Sequence, residues 1–527
     1  MRAEAEAVVL PSQLDQILEP RDGLITEQRV PGDNYVFEQA DGAARSYRRT
    51  VTAAPNSDGK IRVQQVVDFQ LGLPYFSWLF ALPLRWAVRP VKPSTRQPWW
   101  APPERLGRRA AVVLATLCAL AVVVGYLGAL LSLTMTYAAK EFGVGKPGQG
   151  IALGAVRVNV VLALGLLLLA DRRGRRQLIL LTAAGASLLT ALGALAPTLV
   201  WLTITQVAAV ALVAALLVLI GVMAAEEMPA GSRAWGLGVL TLTFGLGAGL
   251  ATMVLPLADG GIRGWRWLYA FGLLFLPLIA SASRHLPESR RFDRLGPLSR
   301  PSRPSWPDRA ADRTPGSARA RHRRRLLLLC AGGFLFALFA TPSGQFQNEF
   351  LRTERHFSAA RISVFSLVCG TIGGLGVLIG GRLADTRGRR AVAAIGVGLG
   401  IVTALGSYFA HNWMLWVWGI ADSLVSYGVA PALAVYGPEL FPTALRSRST
   451  GLIGLIYAAG GVIGLVVVGA LSGAIGTIGP ALATLAFAPV LLVILIVRAY
   501  PETAGQELEE LNPEDRNAED AVASPVS

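Results

Sequence analysis

Charge, cysteine and histidine are all scarce in this chain of 527 residues. Charged residues make up only 16% of the sequence, and there are three cysteines and four histidines. Cys118, Cys330 and Cys369 all lie in apolar segments, so they provide neither a disulfide framework nor a zinc-binding spacing. The scattered histidines predict no metal site, and no phosphate-binding P-loop motif is present. We therefore expect no cofactor, no ATP-driven step and no enzymatic activity.

Apolar sequence, by contrast, is abundant. Hydrophobic residues make up 53% of the chain. Runs of about 20 apolar residues, each long enough to cross a hydrocarbon core of about 30 Å, recur between residues 110 and 499. The formal net charge is +15, but the arginines lie in short loops between these runs, as the cytoplasmic loops of membrane proteins do. The basic character therefore indicates membrane topology rather than a nucleic-acid partner.

Three motifs, each at the end of an apolar run, occur once in each half of the chain. The first is Asp171-Arg172-Arg173-Gly174-Arg175-Arg176, which returns as Asp385-Thr386-Arg387-Gly388-Arg389-Arg390. The second is the set Glu226, Pro229 and Arg233, which returns as Glu439, Pro442 and Arg446. The third is Pro287-Glu288-Ser289, which returns as Pro501-Glu502-Thr503. Such a duplication is typical of secondary transporters built from two parallel halves. We predict an all-α membrane protein with twelve transmembrane helices in two pseudo-symmetric six-helix bundles. The predicted spans lie at roughly residues 110–134, 150–170, 177–196, 199–224, 234–256, 265–284, 326–346, 360–383, 391–410, 413–436, 448–472 and 480–498.

The composition also predicts domain limits. Residues 1–105 are mostly polar. Apolar and polar side chains alternate in parts of this segment, which predicts β-strands, and Asp58-Gly59 between two such runs predicts a hairpin turn. Within them, residues 73–88 are apolar but too short to span, which favours a segment lying in the membrane interface. The predicted domains are a small cytoplasmic N-terminal module with some β structure (1–105), an N-terminal bundle (106–285), a basic cytoplasmic linker (286–325), a C-terminal bundle (326–500) and an acidic cytoplasmic tail (501–527).

The repeated motifs resemble those of the major facilitator superfamily, in particular its sugar porter branch and the related organic-ion and metabolite symporters. The resemblance covers about residues 109–512. It implies a charge network that closes the cytoplasmic side and does not touch the solute. The implied members are Asp171, Gly174, Arg175, Glu226, Arg233, Asp385, Gly388, Arg389, Glu439 and Arg446. The network would break when the two halves rock against each other.

The chain departs from that family pattern where solute and proton are usually bound. The first span has Tyr126 but lacks the acid of many proton-coupled relatives, and Gln206 replaces the arginine of sugar porters. Ala434 replaces a sugar-stacking tryptophan, which makes a sugar doubtful. Gln345 and Asn348 lie farther out in the seventh span than the sugar-binding pattern. With Tyr126 and Gln206, they are our candidates for hydrogen bonding to a solute.

Two charges at membrane depth need an explanation, because a charge at the centre of a membrane helix costs about 2.5–3.5 kcal/mol. We expect Asp422 to be the coupling group and Arg157, with Asn159 nearby, to face the solute. The alternative is that both charges reach the outer interface. Trp416 could likewise face the cavity or belong to an interfacial aromatic belt.

The sequence therefore predicts a multi-pass protein of the plasma (inner) membrane with both termini in the cytoplasm. We expect a monomeric secondary active or facilitative transporter that moves a small organic solute, alone or with a proton, by alternating access. A different class stays open: a sensor or scaffold that uses a transporter-like bundle without transporting.

Overall fold

The computed structural model describes residues 1–33, 35–56, 60–91, 98, 101–102, 104–163, 165–166, 175–229, 232–288, 316–441 and 443–504. It contains a small β-sheet domain at the N-terminus, followed by a large helical bundle. Both agree with the fold class predicted from the sequence.

The N-terminal module is a five-stranded antiparallel sheet with strand order β1-β5-β4-β3-β2. In β5, the buried side chains of Val63, Val67 and Phe69 alternate with exposed Arg62 and Asp68, so one face of the strand packs inward. The elements are β1 (Arg2–Val9), α1 (Pro11–Ile17), β2 (Ile25–Arg29), β3 (Val36–Gly42), β4 (Ala44–Pro55), β5 (Ile61–Leu71) and α2 (Ser77–Val88).

The predicted hairpin is confirmed by the pairing of β4 with β5, in which Pro55 lies opposite Ile61. Its turn, Asp58-Gly59, lies outside the described residues. The predicted interfacial segment forms α2, in which Leu84 and Val88 pack against the sheet.

The helical bundle follows. Its helices are α3 (Arg108–Glu141), α4 (Lys146–Val156), α5 (Arg175–Gly193), α6 (Leu199–Glu227), α7 (Arg233–Val254), α8 (Trp265–Ala270), α9 (Phe275–His285), α10 (Gly316–Gln345), α11 (Gln347–Glu349), α12 (Ala359–Arg387), α13 (Arg389–Phe409), α14 (Asn412–Ala434), α15 (Tyr436–Glu439), α16 (Thr443–Ile475), α17 (Ile478–Thr484) and α18 (Phe487–Ala499). Single turns of 3-10 or π helix occur at Leu255–Asp259, Phe271–Leu274 and Phe350–Glu354.

Eleven helical stretches in the described part of the chain are long and apolar enough to cross a membrane. They correspond to every predicted span except the second, which was placed at residues 150–170. The first part of that span is α4, whose helix is interrupted by a turn at Arg157, and residues 164 and 167–170 lie outside the described part.

Close helix crossings depend on glycine, and the sequence predicts them at glycine pairs spaced four residues apart, among them Gly245 with Gly249 and Gly376 with Gly380. A Cβ at Gly376 or Gly380 of α12 would overlap the carbonyl oxygens of Leu424 and Gly428 in α14, which confirms a packing role predicted for this pair. In α7 the predicted pair, Gly245 and Gly249, is not the contact. Gly247 packs there instead, against the carbonyl of Val122 in α3. A two-residue displacement along a helix turns the small surface by more than half a turn, so spacing alone could not identify it.

Candidate functional site

The charged motifs and the N-terminal module lie at one end of the bundle, which we call the basic end because α5 and α13 begin there with Arg175 and Arg389. We call the opposite end, which carries Lys146, Asp259 and Glu354, the far end. Candidate residues at these two ends and between them are described in turn.

At the basic end, a carboxylate from the N-terminal half closes the start of α5. Glu288 Oε1 accepts hydrogen bonds from the backbone N–H groups of Arg175 and Arg176, at 3.0 and 3.1 Å. These groups lack partners within their own helix, and their partial positive charge favours an anion. The Arg175 side chain forms an ion pair with Glu226 of α6, so this network links the ends of α5, α6 and α9.

The C-terminal half repeats the arrangement at α13. Glu502 accepts from the backbone N–H groups of Arg389 and Arg390, at 2.8 and 3.1 Å. Gly388, just before the helix, has φ of +97°, a conformation that side chains rarely adopt, and a Cβ there would lie 2.8 Å from Glu502. The Arg389 guanidinium also donates to Thr503 Oγ1 at 3.0 Å. The capping roles of Glu288 and Glu502 were not predicted, although the repeat of Pro-Glu-Ser and Pro-Glu-Thr was the signal for them.

The remaining members of the predicted network stay predictions. Asp171 and Gly174 lie outside the described residues, as do the side chains of Arg233, Asp385, Glu439 and Arg446. Of the predicted ion pairs, Arg175 with Glu226 is therefore the one that the described part of the chain contains.

The N-terminal module is attached to the N-terminal half at the same end. Ser232 Oγ, in the turn before α7, accepts from the Glu104 backbone N–H at 2.8 Å and donates to the Glu104 carbonyl at 2.7 Å. Arg109 at the start of α3 pairs with the buried carboxylate of Glu227 at 3.2 Å. Glu227 is adjacent to Glu226, so the start of α3 and the predicted gate use neighbouring carboxylates.

Arg105 completes this attachment from the module side, where it pairs with Asp22 and Asp41. Side-chain hydrogen bonds from Thr26 and Arg105 lower the pKa of Asp22 from its ordinary value, so the carboxylate stays ionised at neutral pH. The sequence had placed a domain boundary at residue 105; the structure makes this residue a junction.

At the far end, the two halves of the bundle contact each other directly. Gln345 of α10 accepts a hydrogen bond from Ser132 Oγ of α3 at 2.5 Å, and Asn348 donates to the Ser132 carbonyl at 3.1 Å. Lys146, before the second span, pairs with Glu354 at 3.1 Å. Gln345 and Asn348 were expected to bind solute, and that role stays a prediction. In this structure their amides join the two halves.

A second group of far-end contacts involves the 3-10 turn after α7. Asp259 pairs with Arg352 at 2.5 Å and accepts from the Ala359 backbone N–H, the first residue of α12, at 2.7 Å. Ser363 of α12 donates to the Thr252 carbonyl at 2.7 Å. The far end is therefore closed by polar contacts between the two halves.

Three of the other candidates have structural partners inside one half. The Tyr126 hydroxyl donates to the Leu268 carbonyl at 2.8 Å and so ties α3 to α8. The Asn159 amide donates to the Val156 carbonyl at 2.7 Å, at the interruption beside Arg157. Trp416 packs edge-on against Phe365 of α12, with ring centroids 5.2 Å apart, a contact that favours packing over a cavity role.

The last three candidates are polar groups at membrane depth. Asp422 of α14 lies within 3.4 Å of Thr403 Oγ1 in α13 and 3.3 Å of Ser426 Oγ, both long for hydrogen bonds to a carboxylate. Arg157 follows α4, which packs against α16 of the other half, where Tyr457 lies. Gln206 of α6 is fully buried, and neither atom of its amide has a hydrogen-bond partner within the described residues.

Comparison with known proteins agrees with this architecture. Residues 328–524 match the family model of the Major Facilitator Superfamily. The glucose transporter GlcP of Staphylococcus epidermidis is 26% identical over 432 residues, which cover 74% of this chain and 94% of that protein. A probable 4-methylmuconolactone transporter of Cupriavidus pinatubonensis is 27% identical over 318 residues, covering 58% of this chain and 70% of that protein.

Solved structures show the same fold at low identity. The inward-open xylose transporter XylE from E. coli is 16% identical with a TM-score of 0.59, covering 77% of this chain and 99% of that one. A bacterial homolog of the human lysosomal transporter Spinster, in an inward-facing conformation, is 16% identical with a TM-score of 0.58, covering 74% and 95%.

Proposed function

We propose that this chain, which belongs to the major facilitator superfamily and is a multi-pass membrane transport protein rather than an enzyme, carries a small organic solute by alternating access. The observation that carries the proposal is the set of polar contacts closing the far end between the two halves. Alternating access requires contacts of this kind, because each must form in one state of the cycle and break in the other.

The strengths of the contacts suit such a cycle. Exposed ion pairs contribute about 0–1 kcal/mol each, so the pair between Asp259 and Arg352 stabilises the closed far end only modestly. Lys146 and Glu354 are mostly buried, so water and salt screen their attraction less than they screen an exposed pair. Two states separated by only a few kcal/mol interconvert readily, and a bound solute can shift their populations.

We propose that the basic end faces the cytoplasm of the plasma (inner) membrane. Arginine-rich short loops lie at this end in both halves, and such loops are retained on the cytoplasmic side. Both termini would then be cytoplasmic, and the closed far end would make the structure an inward-facing form. The gate residues whose side chains lie outside the described part would close this end in the other state.

For the solute, we propose a neutral or weakly acidic organic molecule of modest polarity. Named relatives transport glucose and, probably, 4-methylmuconolactone, which supports this size class. Arg157 lies where α4 meets α16 and is our candidate for contact with an acidic group of the solute. The polarity of the pathway is modest because Tyr126 and Asn159 already have partners within the protein.

Counterflow in proteoliposomes tests the function, with D-glucose, D-xylose and 4-methylmuconolactone as probes. A transporter exchanges external labelled solute for internal unlabelled solute. As a control, Ser132→Cys combined with Gln345→Cys, bridged by a short crosslinker that binds both thiols through disulfides, should stop exchange, and reduction of those disulfides should restore it. Solute-induced stabilisation of the purified protein without exchange would instead support a sensor or scaffold.

Asp422 is the proposed proton-coupling group. Its carboxylate lies between α13 and α14 and has no basic partner within the described residues, so protonation would remove a charge that costs energy in the membrane. We expect Asp422→Asn to keep counterflow and to lose accumulation driven by a pH gradient, while Asp422→Glu keeps part of both. Unchanged gradient-driven accumulation in the Asn variant would exclude this role.

A further inference from the structure

A cavity of about 460 Å³ opens at the basic end beside the last turn of α9. Its size falls within the range of small-molecule sites. The cavity is lined by three arginines, Arg109, Arg176 and Arg284, together with His285 and one acid, Glu288. None of the functions proposed above uses this cavity.

Two of the three arginines leave the cavity cationic, because Arg109 is paired with Glu227. Arg176 donates to the carbonyls of Leu286 and Ser283, at 2.7 and 2.8 Å, which fixes its guanidinium without neutralising it. Arg284 is exposed and forms no hydrogen bond or ion pair in the described part of the chain. The acid, Glu288, is already occupied by the backbone N–H groups of α5. An anionic group in the cavity would therefore meet more positive than negative charge.

Helix α2 of the N-terminal module lies next to this cavity. The Tyr75 hydroxyl is 3.0 Å from Ser281 Oγ of α9, and the Tyr75 ring meets His285 edge-on with centroids 6.0 Å apart. Two residues later α2 begins. The position of the helix relative to the membrane is thus set by a direct contact with the end of a spanning helix.

The outward side of α2 has the composition of a membrane-interface helix. Trp78 and Trp86 are 74% and 69% exposed, and Leu82 is 56% exposed. Arg85 lies on the same helix and is also exposed. Tryptophan and arginine are enriched where apolar chains meet anionic headgroups, whereas two tryptophans exposed to water alone would be unfavourable.

We propose that the arginine-lined cavity binds the phosphate headgroup of an anionic phospholipid while α2 lies in the interface of the same leaflet. Guanidinium groups suit phosphate because they donate two parallel hydrogen bonds to its oxygens. The adjacent tryptophans favour a lipid over a free phosphate compound, because only a lipid continues into the apolar layer that they would occupy. The site requires that the chain lie in a membrane and is independent of which solute it carries.

The test is lipid retention by the purified full-length protein, measured by native mass spectrometry after exchange into mixtures of phosphatidylglycerol and phosphatidylcholine. Wild-type protein should retain phosphatidylglycerol preferentially. Because an arginine near an anionic surface is worth about 1 kcal/mol, Arg284→Gln should weaken that retention about fivefold. The matched control is Arg498→Gln, in the last turn of α18, the corresponding place in the other half, where no α2 lies alongside. It should retain phosphatidylglycerol as wild type does.

Two further measurements complete the test. Replacing Trp78 and Trp86 together by alanine should reduce retention without changing the thermal unfolding midpoint, and unchanged retention would remove α2 from the site. Displacement of the lipid by free glycerol phosphate at similar concentration would point to a soluble phosphate ligand and overturn the proposal. Equal losses in Arg284→Gln and Arg498→Gln, or no preference for phosphatidylglycerol, would also overturn it.

Discussion

At the scale of single residues, Glu288 and Glu502 have the same role in the two halves. Each carboxylate accepts hydrogen bonds from the first two backbone N–H groups of a helix that starts more than a hundred residues earlier in the chain. A side-chain cap of this kind is worth about 1 kcal/mol. It also joins the third and sixth spans of each half, so that the half can move as one body.

The Glu502 cap predicts a pH dependence. Partial burial raises the pKa of Glu502, but hydrogen bonds from the backbone N–H groups of Ala504, Arg389, Arg390 and Thr503 outweigh it, and the pKa is lowered. The carboxylate therefore stabilises the folded state above its unfolded pKa of about 4.3, and this contribution is lost as the pH falls through the lower folded pKa.

We expect Glu502→Gln to lower the thermal unfolding midpoint in detergent at neutral pH, by an amount equivalent to about 1 kcal/mol. The difference from wild type should disappear in acid. Glu38→Gln, at an exposed carboxylate of β3, should change the midpoint little at any pH. If the unfolding midpoint of Glu502→Gln stayed below that of wild type in strong acid, the shape of the Glu502 side chain rather than its charge would be responsible.

At Gln206 we expect a substitution to raise the thermal unfolding midpoint rather than lower it. A buried amide without partners costs about 1–3 kcal/mol, and an apolar side chain of similar shape avoids this cost. We expect Gln206→Met to raise the unfolding midpoint. Thr205→Val, the control, should not, because Thr205 already donates to the Leu202 carbonyl of its own helix at 2.9 Å. A lower midpoint in Gln206→Met would indicate that a bound water or the solute satisfies the amide.

At the scale of elements, the contact between α12 and α14 is a close helix crossing that a single substitution can test. At Gly380 an added methyl would meet the backbone carbonyl of Gly428, which cannot rotate away. Overpacking of this kind costs about 1–3 kcal/mol, so Gly380→Ala should lower the unfolding midpoint. Gly374→Ala on the same helix has nothing within 4 Å of its Cβ and should leave the midpoint unchanged or raise it slightly. Equal effects of the two variants would mean that the helices separate easily.

At the scale of the whole molecule, the far-end contacts set the balance between two arrangements of the halves. Arg352→Gln removes the ion pair with Asp259. Because such a pair is worth about 1 kcal/mol or less, the population with an open far end should rise by at most about fivefold. Spin labels at Ile262→Cys and His411→Cys, on the two halves, would report this as a larger share of long distances.

The control for that measurement is Arg361→Gln. Arg361 is also an exposed arginine at the far end, but it stacks on the Phe357 ring of its own half, 4.0 Å from the ring centroid. It should leave the distance distribution unchanged. If both variants lengthened the distances equally, loss of local packing rather than of the contact between halves would be the cause.

The sequence was most informative where local properties decide the outcome. Span positions, the hairpin of β4 and β5 and the amphipathic α2 all follow from hydropathy and alternation over a few residues. It was least informative about which side chains meet. Gln345 and Asn348, predicted to bind solute, contact Ser132 in this structure, and Tyr126 donates to Leu268, while their roles toward a solute stay predictions. Such contacts depend on the rotation of each helix about its axis, which residue spacing does not specify.

By itself, the sequence determined that the chain lies in a membrane, that it is built of two related halves and that its charged motifs repeat at the ends of corresponding apolar runs. These features follow from the cost of placing polar groups in hydrocarbon, which acts on each segment separately. The tertiary structure alone decided that two glutamates cap helices begun far earlier in the chain, that polar side chains join the halves at the far end and that the N-terminal module is attached to Ser232. These features depend on how helices tilt and turn against one another, and packing between segments distant in sequence sets that geometry.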